Sequence, residues 1–540
     1  MGEAKRRRVL VSWATEAAVE TPGGRMQVRW DEGGKATAMG QLVFFAEYLG
    51  VAGLFERWVS SCPLHYTSPN APLTRDVLGS WMLSILDGHR RYAHLASLRG
   101  DGLAPQVLGM RKIVGDDSLR RALAQIAPAA KARHSDAERA AQQAQVARAT
   151  QWLEDQLWHS VSAALERPWI LDIDTTVKPL YGRQAGAEVG YNPHKPGRPS
   201  HVVHTYFVGN LRLVLHAQLQ AGKSHSAKHG LPGLKSTLTK LAPALRPQLV
   251  RGDCGFGNDT VMCEMEAMDQ PYLFKLKQSK GVKQLVQRQW SNSWSDVGQG
   301  WEACEAALQL MGWERSRRVF VMRRAVRMDV LIERAAKRGR KRHDPQQEHL
   351  NFIDKNTPDK IYEYAVLVSN ADFDIESMGQ LYRDRADCEN GFDELKNQWG
   401  KNQWRSRGYT THDIERCNLS AQAVALVYNW WSLYARLANP KARMEAITSR
   451  PLLLNAVGRV TEHAGQKRVL LTVTHAARAK VKSLIDNIRT GLQHIREATP
   501  QLAIADRWHA LVRYIVDRFI AASVADMARS RRPPELILSG

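Results

Sequence analysis

The sequence predicts an α/β fold centred on a mixed sheet flanked by helices, with helical regions on either side. Between residues 166 and 280, strand-like and helix-like runs follow in the order β-β-β-α-β-α-β. Up to residue 165 and beyond residue 438, apolar residues recur mostly with helical spacing. Between about 281 and 359 that rhythm breaks into strand-like stretches such as RRVFVMRR, which suggests a β-rich insertion.

In the first region, Ala38 to Val59, Thr74 to Leu98 and the Ala/Gln-rich run Gln142 to Leu165 have helical spacing. The segment GDDSLRRALAQI offers Asp117 or Ser118 as N-cap of a helix that opens with Arg120 and Arg121. It reads either as a helix lying in a DNA groove or as an ordinary capped surface helix. RPWILDIDTT is a β-rich run ending in acids, followed by a loop dense in Gly, Pro and basic residues that includes Lys195 and Arg198. HVVHTYFVG and LRLVLHAQLQ form a hairpin around Gly209 and Asn210. A helix over about Leu231 to Leu245, the strand PQLVRGDCGF, a helix over about Asp259 to Met268 and the strand PYLFKLKQ complete the series.

The insertion crowds Trp290, Trp294, Trp301 and Trp313 into 24 residues, and KRGRKRHDPQQEH reads as a mobile basic loop. After it come the strand YEYAVLVS, a polar helix around residue 389 and a helix over Asp413 to Leu437. The hairpin GRVTEHAGQKRVLLTV and basic helices over His475 to Ile495 and Ile504 to Ala528 end the chain.

Composition narrows the function classes. With 540 residues and 44% hydrophobic content, the chain can bury a large core. A net charge of +22 points to a polyanionic partner, with nucleic acid ahead of a membrane surface or an acidic protein. The six cysteines form no CxxC pair, which argues against a zinc ribbon or a disulfide scaffold. Without an 18-residue apolar run or a signal-type apolar segment, the expectation is a soluble, intracellular protein.

The most informative stretch is LYRDRADCENGFDELKNQWG, where Tyr382, Arg385, Glu389 and Lys396 stand at intervals of three, four and seven. In a helix these four fall within roughly 60° of one face. One stripe thus combines a phenol, a guanidinium, a carboxylate and an ammonium: a metal-ligand type flanked by phosphate-binding types. Taken alone, it could be a solvated charged face. Two strand-like runs also end in acids: WILDIDTT with Asp172 and Asp174, and LVRGDCGFG with Asp253. Alternation puts Asp172 and Asp174 on one face of their strand. Such acids can hold divalent cations beside a phosphodiester, whereas a lone strand-end Asp such as Asp253 can simply cap a turn.

The Y-x2-R-x3-E-x6-K spacing resembles the signature of bacterial insertion-sequence DDE transposases of the YREK type. DIDTT and RGDCGFG are similar to the blocks around that family's first two catalytic aspartates. The likeness is closest to the subgroup called transposase DDE domain, group 1, and GAEVGYNPHKPGRPS resembles the region after its first aspartate. The resemblance implies a ribonuclease-H-like catalytic core at 166–280 and 360–437. It further implies a β-rich insertion domain at 281–359, a helical DNA-binding region at 1–165 and a helical DNA-binding or dimerisation region at 438–540.

It also implies a catalytic, metal-binding triad of Asp174, Asp253 and Glu389 holding two Mg²⁺ ions, with Mn²⁺ as a substitute. Asp174 is preferred to Asp172 because the family's first Asp directly precedes Thr-Thr, as Thr175 and Thr176 do here. Tyr382, Arg385 and Lys396 would contact DNA, joined by Arg120, Arg121, Lys195 and Arg198. One of Trp290, Trp294, Trp301 and Trp313 would stack on an unpaired base. The implied partners are double-stranded DNA, both transposon ends and target, and a second copy of the chain in a synaptic complex. The implied setting is the bacterial cytoplasm, at the nucleoid. A catalytically inactive DNA-binding derivative and a stand-alone nuclease with the same core are the competing readings.

Overall fold

The computed structural model describes residues 16–30, 35–89, 91–129, 135–192, 195–289, 293–326, 361–399, 411–472, 477–498 and 502–530. Trp290 and the expected basic loop KRGRKRHDPQQEH lie outside the described residues. Among the described residues, no helix is long and apolar enough to cross a membrane.

The N-terminal region opens with a hairpin absent from the sequence reading, β1 (Glu16–Thr21) with β2 (Gly24–Arg29), followed by the short β3 (Ala36–Thr37). Helices α1 (Leu42–Ala52), α2 (Leu54–Ser60), α3 (Thr74–Leu86), α4 (Leu95–Leu98), α5 (Ala104–Val107), α6 (Asp116–Ile126) and α7 (Asp136–Val161) follow. The single helices expected over Ala38 to Val59 and Thr74 to Leu98 are each broken. Gly53 and Gly88 take left-handed φ values of 66° and 73°, a conformation that ends a helix turn. Helix α6 starts at Asp116 with Gly115 as N-cap, so neither Asp117 nor Ser118 caps it. Helix α7 begins earlier than expected, because Ser135 and Glu138 form a reciprocal capping box.

The central elements are β4 (Ile170–Pro179), β5 (Ser200–Val208), β6 (Leu213–Ala221), α8 (Ala227–Thr239), β7 (Leu249–Gly252), α9 (Asp259–Ala267), β8 (Tyr272–Lys275) and α10 (Lys280–Arg288). Next come β9 (Ser295–Gly298), β10 (Trp301–Leu308), β11 (Arg317–Val326), β12 (Ile361–Ser369), α11 (Ile375–Asn397) and α12 (Ile414–Ala438). The last elements are α13 (Ala446–Leu453), β13 (Gly458–His463), β14 (Gln466–Leu471), α14 (Arg478–Ala498) and α15 (Ile504–Ser530). Nine strands form one sheet in the order β6-β5-β4-β7-β8-β12-β11-β10-β9. The β4–β7 and β7–β8 pairs are parallel and the rest antiparallel, which gives the mixed, helix-flanked α/β core expected as ribonuclease-H-like. The strands β9 to β11 within 281–359 continue this same sheet through β12.

Helix α12 is buried along almost its whole length, from Cys417 to Ala438. A helix so enclosed needs partners for its polar side chains. Asn418, Gln422 and Asn429 lie within roughly 40° of one stripe, and that stripe meets the outer edge of β6. Asn429 accepts from the Val214 N–H and donates to the Val214 carbonyl, both at 2.8 Å. Asn418 accepts from the Leu219 N–H at 2.9 Å, and Gln422 donates to the Ala217 carbonyl at 3.3 Å. The amides thus complete hydrogen bonds that an edge strand leaves open.

Two polar contacts fix the centre of the sheet. Asp172 and Arg251 are register partners on the parallel strands β4 and β7, and both are almost fully buried. Arg251 grips the carboxylate in a bidentate pair, Nε to Oδ1 at 2.8 Å and Nη2 to Oδ2 at 2.6 Å. Its Nη1 donates to the Leu381 carbonyl of α11 at 2.6 Å. On β5, buried His204 donates from Nε2 to the Ser224 carbonyl at 2.8 Å, which leaves Nδ1 to accept from the Thr175 hydroxyl at 3.1 Å. Burial, opposed by the Ser224 carbonyl, lowers the His204 pKa to about 4, so the ring is neutral near neutral pH.

Removing one partner of a buried ion pair strands the other charge. Arg251→Met should therefore lower the urea-unfolding free energy by about 3–5 kcal/mol, and the double change Asp172→Leu/Arg251→Met should recover most of it. For His204 the folded pKa lies below the unfolded value near 6.5. Its stabilising contribution is therefore complete above pH 6.5 and disappears as pH falls toward 4. Between pH 7 and pH 4 the native chain should lose roughly 3 kcal/mol more unfolding free energy than His204→Gln, measured by denaturant titration.

Candidate active site

The parallel register of β4 and β7 pairs Asp172 with Arg251 and Ile173 with Gly252. One residue further along stand Asp174, within β4, and Asp253, just past the end of β7. The parallel ladder brings the ends of β4 and β7 together, and His225 feels both carboxylates, so these two acids share one end of the sheet. Asp174 accepts from the Thr176 hydroxyl at 3.0 Å and from Lys396 Nζ at 3.3 Å. Burial alone would raise its pKa, but Lys396, Arg385 and Thr176 together outweigh that and hold the carboxyl below the usual range. It is an anion at neutral pH. Asp253 is half-buried and its Oδ1 accepts from the Gly255 N–H at 2.9 Å, so it also caps the turn that leads to α9.

Helix α11 brings the four-residue stripe to this sheet end. Asp374 caps it, accepting from the Ser377 N–H at 2.6 Å. Lys396 and Arg385 both act on Asp174, while Arg385 Nη1 donates to Glu389 at 3.0 Å. Glu389 is exposed, and the guanidinium that it meets also lowers the Asp174 pKa. Tyr382 packs half-buried against the second hydrophobic cluster, its ring 6.2 Å from that of Trp301 and 6.0 Å from Lys275 Nζ. The four side chains therefore differ in setting: Glu389 faces solvent, while the other three are partly buried.

The donor set suits a hard divalent cation, since it consists of carboxylate oxygens on neighbouring strand ends and an adjacent helix. Asp174, Asp253 and Glu389 do not bring their oxygens mutually within 4.8 Å, the spacing met among the described residues by Asp259, Cys263 and Glu314. In that second cluster Arg317 already supplies a cation, donating to Asp259 at 2.6 Å and to Cys263 Sγ at 3.2 Å. At the sheet end, Lys396 and Arg385 supply the positive charge to Asp174.

Asp172 shares the face of Asp174 but is wholly committed to Arg251. Arg120 pairs with Asp116 and Asp117 and lies over the Tyr92 ring at 5.2 Å, while Arg121 is exposed. Lys195 and Arg198 flank the exposed Tyr181 ring at 4.9 and 4.8 Å. Trp294, Trp301 and Trp313 are each half-buried under an arginine, at 4.0 Å for Arg323, 4.8 Å for Arg324 and 5.3 Å for Arg317. The sequence reading passed over His225, which precedes α8 and senses both aspartates. Burial lowers its pKa, while Asp253 and Asp174 pull it back up. The run KSHSAKH directly after β6 held the only hint of it.

A family model described as transposase DDE domain group 1 matches residues 22–493. No curated protein matches the chain. Among solved structures, the cryo-EM structure of a piggyBac transposase synaptic complex with hairpin DNA aligns with a TM-score of 0.39 at 11% identity, covering 93% of this chain and 87% of that one. With the family model spanning most of its length, the chain belongs to the transposase DDE domain group 1 family.

Proposed function

We propose that the protein is an active DNA transposase that binds the terminal inverted repeats of an insertion sequence. It cleaves at the element's ends and joins the freed 3′-hydroxyls to target DNA. The observation that best supports this is that Asp174 and Asp253 lie at one sheet end, with Lys396 of α11 bonded to Asp174 and the Arg385 charge lowering the same carboxyl's pKa. Asp174, Asp253 and Glu389 are the residues that would hold divalent cations. Two Mg²⁺ ions, or Mn²⁺ in their place, would supply Lewis-acid chemistry for phosphodiester displacement at these carboxylates.

This chain's own residues have definable parts in that reaction. Lys396 and Arg385 keep Asp174 ionised, and both can turn toward phosphate oxygens when DNA enters. Thr176 fixes one oxygen of Asp174, so that the other stays available to a ligand. Asp172, engaged by Arg251, is assigned to support rather than to the reaction. Two ends must be joined together, so the acting form is taken to be a homodimer on DNA. The division into an N-terminal DNA-binding region, a split core, an insertion and a C-terminal region stands as part of this proposal.

The decisive assay incubates the protein with labelled element ends and Mg²⁺ and resolves 3′-end cleavage from strand transfer. Asp174→Ala, Asp253→Ala and Glu389→Gln should each lower cleavage about a thousandfold or more, as loss of several kcal/mol of charge stabilisation requires. Chains shown folded by circular dichroism that still cleave would overturn the assignment. Cleavage without joining would favour the stand-alone nuclease, and binding without cleavage an inactive derivative.

A further inference from the structure

Tyr191 is 61% exposed, more than any other Phe, Tyr or Trp among the described residues. It sits in the Gly/Pro loop between β4 and β5, and its ring centroid lies 4.4 Å from that of His225. His225 in turn faces Asp174 and Asp253. It borders a cavity of about 570 Å³ shared with Thr175, Asp253 and Phe256. An open aromatic face thus stands one side chain away from the carboxylates.

The backbone holds it there. A Cβ on Gly190 would meet the Gly222 carbonyl at 2.1 Å, and one on Gly222 would meet the Glu188 carbonyl at 2.2 Å. These two glycines let the loop and the segment after β6 lie backbone against backbone. Ser200 and Glu188 pair across the loop, the Ser200 N–H donating to the Glu188 carbonyl at 2.9 Å. Buried Asn192, next to Tyr191, accepts from the Lys195 N–H at 3.0 Å. The ring is therefore presented on a braced loop, whose Gly190 lies against the Lys223 backbone.

We infer that Tyr191, backed by His225, is a stacking platform for an unpaired DNA base next to the phosphodiester that would be cleaved at the site of Asp174 and Asp253. The inference rests on the transposase reading for the identity of that phosphate. Its physical basis is that an aromatic face can engage a base only where the base is not stacked in a duplex, and Lys396 and Arg385 stand at the same sheet end to meet the backbone. Trp294, Trp301 and Trp313 each lie half-buried beneath an arginine, so none offers a comparable open face.

The test uses a fluorescein-labelled 20-nucleotide oligo(dT) and a same-length abasic oligomer, with affinity read by anisotropy for the full chain. Tyr191→Ala should weaken oligo(dT) binding by about 5- to 100-fold, the range expected for one base–aromatic stack. Tyr191→Trp should keep the native affinity, and the abasic oligomer should bind native and Tyr191→Ala chains alike. Unchanged oligo(dT) affinity in Tyr191→Ala would overturn the inference, as would an equal loss on the abasic oligomer or no oligo(dT) binding by the native chain. Mg²⁺-dependent nicking of supercoiled plasmid by the native chain separately tests the transposase reading, so either can fail without the other.

Discussion

The site depends on one buried ion pair. Asp172 precedes Asp174 by two residues on β4, Arg251 of β7 precedes Asp253 by two, and Leu381 lies eight residues before Glu389 on α11. Arg251 joins all three elements, through two bonds to Asp172 and one to the Leu381 carbonyl. A charge pair inside a protein is a poor way to add net stability, because desolvation offsets most of the attraction. It is a good way to select one register. Sliding β4 or β7 by a residue would leave two buried charges unpaired, which costs far more than sliding an apolar pair. The pair therefore converts a short parallel ladder into a fixed placement for the acids that follow it.

Beyond the pair, the site is a problem of like charges brought together. Asp174 stands on β4 and Asp253 just past the end of the adjacent β7, with Glu389 on α11. Asp174 carries the larger desolvation burden, being mostly buried, and its answer is Lys396 and Arg385. Arg385 also meets Glu389 at 3.0 Å, so one guanidinium serves two carboxylates. Exposure makes the Glu389 contact weak in itself, since solvent screens it. Glu389 is thus the carboxylate held most loosely and the one best able to change rotamer when a cation or phosphate draws Arg385 away.

Much of this was legible in the sequence, for physical reasons. The β-β-β-α-β-α-β order, the stripe on α11 and the hairpin at Gly209 follow from periodicity and turn chemistry, which are local properties. Arg251 was not legible as a clamp, because its partners are 79 and 130 residues away and nothing local marks them. The helix breaks at Gly53 and Gly88 were missed because apolar spacing continues across both glycines while the backbone does not. The Asn418, Gln422 and Asn429 stripe on α12 was hidden in the opposite way, since amides inside an apolar helix show no purpose until the edge of β6 is laid against them.

The strands between Asp253 and Glu389 bear on the site through packing. Helix α11 rests its first half on a second hydrophobic cluster, which joins Met378 with Leu249 and Leu273 of the core strands and with Phe320, Met322 and Val297 of β11 and β9. A Cβ on Gly379 would lie 2.7 Å from the Val297 side chain, so helix and strand approach as closely as a glycine allows. Its second half turns toward β5, with Phe392 and Phe207 rings 5.0 Å apart. The helix thus bridges the β4-β5-β7 region and the β9-β11-β12 extension of a single sheet. Twist accumulates across a sheet of this width, so the floor under the first half of α11 helps set the angle at which its second half meets Asp174. The inserted strands are for that reason part of the geometry of the site, whatever they also contact.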